Sequence, residues 1–98
     1  MFSSTSYGPP WVGIQGTGVT ATGFDLRGGR QRYGVAVDPR RIRLGSLIHI
    51  WPNPFGRRQA FRAFDTGGAI KGNRIDFYDA RGRKTQLAWG RRSVRVCK

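Results

Sequence analysis

The stretch Asp65–Asp79, DTGGAIKGNRIDFYD, decides how this chain is read. It begins and ends on aspartate and carries a third, Asp76, eleven positions after Asp65. Between them runs a glycine-rich loop, Gly67 to Gly72, followed by the strand-like Arg74–Tyr78. Glycine lets a backbone turn tightly or pass close to a ligand. Such a loop can fold back and bring Asp65 and Asp76 together. Asp38, at the end of VAVDP, can join them from a neighbouring strand end. Aspartate before proline, or at a strand-to-loop junction, also caps turns through its own side chain. Spacing alone leaves both readings open.

Outward from this segment the chain reads as short strands cut by turn residues. Thr17–Thr22, Tyr33–Val37, Leu47–Trp51, Gln59–Phe64, Arg74–Tyr78 and Ser93–Cys97 are the expected strands. Pro39, Pro52 and Pro54 end two of them, since proline has no N–H to donate to a ladder. Thr85–Trp89 is expected to make one short helical turn closed by Gly90. Residues 1–16, rich in Ser, Thr, Gly and Pro, read as an irregular arm, and residues 17–98 as one domain. Six strands of about five residues at this spacing suggest a small closed all-β barrel. Periodicity does not specify which barrel.

Composition supports that class. The chain has 98 residues, fifteen of them glycine and 38% apolar, which is low for a helical bundle. Eighteen Lys and Arg face five acids, all Asp (Asp25, Asp38, Asp65, Asp76 and Asp79), for a formal charge of +13. That imbalance points to a polyanionic partner. Nucleic acid, an anionic membrane surface and an acidic cell wall all qualify. No run is long and apolar enough to span a bilayer. Met1-Phe2-Ser3-Ser4 has neither the basic nor the apolar part of a signal peptide, so a role outside the cell implies a signal or anchor removed.

The residue inventory excludes several chemistries. One His and one Cys are too few for a Cys/His zinc site. His49, in LIHIW, reads as a partly buried strand residue, and Cys97 as a residue of the last strand. A Cys97–His49 pair is possible, with nothing around either in sequence to support it. No metal and no cofactor are expected. Trp51, Phe55, Phe61 and Phe64 interleave with arginines and can stack on sugars or on single-stranded bases. No RNP, KH or helix-turn-helix pattern is present, so nucleic acid ranks second.

VAVDPRRIRLGS, FDTGGAIKGNRID and LAWGRRSVRV together resemble the 3D domain, named for three aspartates. That domain occurs in MltA-type lytic transglycosylases and in related stationary-phase and resuscitation-promoting proteins. The resemblance runs from about Thr17 to Val96. It implies a six-stranded double-psi β-barrel with at most one or two short helical turns. It also implies that Asp38, Asp65 and Asp76 are the three aspartates, with Asp76 the catalytic acid and Asp65 beside it. TGVTATGFD resembles the Thr-rich opening of the same domain and suggests Thr20 and Thr22 as cleft residues. Gly67, Gly68 and Lys71 belong to the matching DTGGAIKG and are expected at the substrate. Larger MltA enzymes have a second domain as the other groove wall, so a lone barrel is expected to have a shallow cleft.

The implied activity is non-hydrolytic cleavage of MurNAc–GlcNAc bonds in peptidoglycan, giving 1,6-anhydro products. It needs one carboxyl as acid and then base, where hydrolytic glycosidases use two. The implied partners are peptidoglycan strands and anionic wall polymers, met by a monomer in an extracellular, cell-wall or periplasmic setting. The alternatives are a non-catalytic wall-glycan-binding module and, further off, a basic nucleic-acid-binding barrel.

Overall fold

Strand residues of alternating character and tight turns build the body of the molecule, seen in a computed structural model that describes residues 1–8, 20–23, 31–56 and 60–97. In chain order the elements are β1 (Phe2–Tyr7), β2 (Gly34–Val37), β3 (Leu47–Trp51), β4 (Phe61–Asp65), β5 (Arg74–Tyr78), α1 (Arg83–Trp89) and β6 (Arg92–Cys97). The strands close into a barrel in the order β1-β5-β2-β4-β3-β6. Two of the pairings, β1–β5 and β2–β4, are parallel, and the rest are antiparallel. The all-β, six-stranded barrel expected from the sequence is therefore present, with α1 as one short helix.

Two expectations change. Phe2–Tyr7 is not part of an irregular arm. It is β1, parallel to β5 and antiparallel to β6, and it closes the barrel. Its sequence FSSTSY has no β-branched apolar residue, which hid it, but its backbone groups are needed to pair two otherwise open edges. Conversely, Thr20 is irregular and Ala21-Thr22 form a turn. The expected strand Thr17–Thr22 is not seen there, and positions 17–19 lie outside the described residues, as do 9–16. The helix starts two residues before the expected Thr85 and ends at Trp89, with Gly90 closing it through its N–H to the Gln86 carbonyl.

Side-chain alternation sorts the core into two clusters. Val35, Val37, Ile48, Ile50, Phe61, Ala63, Ile75, Phe77 and Val94 fill the barrel interior with Ile42 and Trp89. Tyr7, Ala36, Phe64, Ile70 and Tyr78 form a second cluster on the opposite face of the strands. Between Val35 and Ala36 the β2–β4 register shifts by one residue, so that Val35 pairs with Ala63 but Ala36 pairs with Asp65. This β-bulge positions the site.

Candidate functional site

Four strands present one row of residues: Thr5 on β1, Asp76 on β5, Ala36 on β2 and Asp65 on β4. Ala36 is the paired residue of both aspartates. Its small side chain leaves room for a carboxylate on either side. Without the bulge, Asp65 would share the inward parity of Ala63, opposite to Asp76. The bulge re-aims it onto the outer face.

Asp76 is 5% exposed. Its Oδ1 accepts a hydrogen bond from Thr5 Oγ1 at 2.9 Å. Burial pushes its carboxyl up to about 7, with the charge of Asp65 adding a smaller push; the Thr5 hydroxyl and the Arg74 charge oppose it. A carboxyl titrating near neutrality can both give and take a proton in one catalytic cycle.

Asp65 is buried beside it. Its Oδ1 accepts the N–H groups of Ala21 at 3.0 Å and Thr66 at 2.8 Å, and its Oδ2 accepts the Tyr7 hydroxyl at 3.2 Å. Burial, then the charges of Asp65 and Asp76, push the Tyr7 hydroxyl far above the usual phenol range. Tyr7 therefore remains a donor. Strand β1 thus supplies both Thr5 and Tyr7, two site residues that sequence reasoning missed. The available signal was the period-2 placement of Ser3, Thr5 and Tyr7 on one face.

The remaining sequence-derived residues fall into place differently. The turn at Thr20–Gly23 reaches Asp65 through the Ala21 N–H. It is tied down by Thr22, whose N–H and Oγ1 both donate to the Phe64 carbonyl. The Thr20 and Thr22 hydroxyls lie 3.3 Å apart. The glycine loop is anchored by buried Ile70, whose N–H donates to the Gly67 carbonyl, and leaves Gly68 and Lys71 exposed. Asp38 is held by its own turn and by the glycine loop. Its carboxylate accepts the Arg40 N–H, Nε and Nη2 at 3.0–3.2 Å and the Gly72 N–H at 2.8 Å. The Arg40 side chain and these N–H groups hold it well below the usual carboxylate range. Asp38 thus clamps the end of the glycine loop to the DPRR turn as an ionised group.

Asp79 is buried and paired with Arg81 at 2.9 Å. Asp25 lies outside the described residues. His49 is exposed rather than partly buried, because β3 alternates with Ile48 and Ile50 inward. It pairs across strands with Cys97, also exposed, so the two are neighbours on the outer face of β3 and β6. Among the described residues no three His, Cys, Asp or Glu side chains converge as a metal site.

Comparison with known proteins gives the family. The family model of the 3D domain matches residues 33–98, which include all three aspartates of the resemblance. The chain belongs to the 3D-domain family. The chain is 38% identical over 94 residues to the putative cell wall shaping protein YabE of Bacillus subtilis, covering 96% of this chain and 21% of that protein. It is 41% identical over 80 residues to the cell wall-binding protein YocH of the same organism, covering 82% of this chain and 26% of that one. This 3D domain therefore spans about a fifth to a quarter of the length of these two relatives. The match to YabE extends beyond the family model toward β1, where Thr5 and Tyr7 complete the carboxylate row.

Proposed function

We propose that this domain acts at the bacterial cell wall as a lytic transglycosylase, with Asp76 as acid and then base. The single observation that carries the reading is the buried Asp76 carboxyl, raised to about 7 and set across Ala36 from Asp65. Protonated, Asp76 gives its proton to the oxygen joining MurNAc to GlcNAc, and that bond breaks as positive charge builds at C1. The resulting carboxylate takes the proton of the MurNAc C6 hydroxyl. The C6 oxygen bonds to C1, the 1,6-anhydro ring closes, and Asp76 is protonated again. No water is consumed. Asp65 lends negative charge near the developing cation. Tyr7 and Thr5 fix the two carboxylates. Family membership and the wall-related names of the relatives support the setting.

Asp76→Asn is expected to abolish release of anhydro-muropeptides from purified peptidoglycan, read by mass spectrometry, while circular dichroism stays that of the wild type. Undiminished release would remove Asp76 from the acid role. The second reading is a module that grips glycan without cutting it, favoured by the name of the cell wall-binding relative. It predicts retention on sacculi by wild type and Asp76→Asn alike, with no anhydro product from either.

A further inference from the structure

Away from the carboxylate row, α1 and the turn after β3 enclose a groove of about 420 Å³, lined by Asn53, Gly56, Arg81, Thr85, Trp89 and Arg92. Its two arginines are held in the same manner. Arg81 donates from Nε and Nη2 to Asp79 at 2.9 and 3.0 Å, and from Nη2 to the Pro54 carbonyl at 3.3 Å. Its guanidinium lies over the Phe55 ring, 4.8 Å from the centroid. Arg92 donates from Nε to the Trp89 carbonyl at 2.9 Å and from Nη2 to the Ala88 carbonyl at 3.2 Å. Its guanidinium lies over the Trp89 ring at 4.5 Å. In both, one edge of the fork is used by the protein. Among the described residues, Nη1 of each makes no hydrogen bond.

Two cations fixed by stacking and hydrogen bonding, each with an edge left for a ligand, form a preorganised anion site. Asp79 cancels one charge, so the attraction comes from Arg92 and from the +13 field of the whole chain. Phosphate oxygens match guanidinium geometry and keep their charge at all working pH values. We infer that this groove is a second binding site, separate from the Asp76 row, for the phosphodiester groups of an anionic polyol-phosphate polymer of the wall. The inference rests on the wall reading for its partner and on the two arginines for its place. It holds the domain on the wall while the Asp76 face meets glycan.

The test is titration calorimetry of the whole chain with purified poly(glycerol phosphate). Arg92→Gln and Arg81→Gln are each expected to weaken binding by about tenfold, the worth of a charge-assisted hydrogen bond. Arg43→Gln, an equal charge change at an exposed position elsewhere, is expected to weaken it less than about twofold. Equal losses in all three overturn the site in favour of diffuse attraction. Because Arg81 also holds Asp79, amide shifts of the wild type give an independent readout. Polymer should move Asn53, Gly56 and the Trp89 indole, and shifts confined to other residues overturn the site. Tighter binding of a single-stranded RNA of equal charge, or of inorganic phosphate alone, overturns the polymer as its ligand. Asp76→Asn should bind the polymer as the wild type does. Loss of glycan cleavage with polymer binding intact, or the reverse, therefore tells which of the two readings has failed.

Discussion

At Asp76 the competition between local burial and global charge is resolved by position. Eighteen cations favour an ionised carboxylate, yet burial outweighs them, and the charge of Asp65 is the smallest of the contributions that act on it. Desolvation ranks first among the causes. A carboxyl raised from 3.8 to about 7 binds its proton more tightly in the folded than in the unfolded chain. Its contribution to stability is full below the unfolded value and is lost as pH rises toward 7, by up to about 4 kcal/mol. Asp38 and Asp79, both lowered, act oppositely and lose their contribution as pH falls. Asp76→Asn isolates the first effect. Its stability relative to wild type should improve steadily from pH 4 to pH 7 in urea unfolding, and a pH-independent difference would contradict the assignment.

Among the elements, β2 is the most constrained. All four of its residues are buried, and Gly34 lies under the Phe64 ring, where an added Cβ would come within 2.5 Å of ring carbons. Phe64 is itself 2% exposed and anchors the outer cluster beside Asp65. Gly34→Ala should therefore destabilise the domain by about 1–3 kcal/mol, as overpacking does, measured by the urea midpoint. Strands β3 and β5 were legible to the residue, since LIHIW alternates and RIDFY follows a glycine loop. Strand β1 was not. Serine and threonine carry little strand signal, and its formation depends on two partners, β5 and β6, that lie over sixty residues away.

Over the whole molecule, the +13 charge is spread along the sequence from Arg27 to Lys98, so it acts as a long-range field rather than one contact. Retention of the domain on purified sacculi should weaken steeply between 0.1 M and 1 M salt, as the screening length falls from about 10 Å to about 3 Å. Salt-insensitive retention would show that charge is incidental to wall binding. Closure of the barrel matters at the same scale. It places the two parallel pairings, β1–β5 and β2–β4, on either side of the antiparallel β5–β2 pair, and the carboxylate row crosses all four strands.

The sequence by itself determined the all-β class, most strand positions, the basic charge and the identity of Asp65 and Asp76 as the acids to watch, because turn residues, alternation and a specific motif are local signals. Tertiary structure alone decided that these two acids share a face. By strand parity Asp65 belongs inside the barrel and Asp76 outside, and only the register shift against Ala36, a property of two paired strands, turns Asp65 outward. It also decided that Thr5 and Tyr7 bond to these carboxylates and that Asp38 bonds to the loop at Gly72, since each follows from contacts between residues more than thirty positions apart.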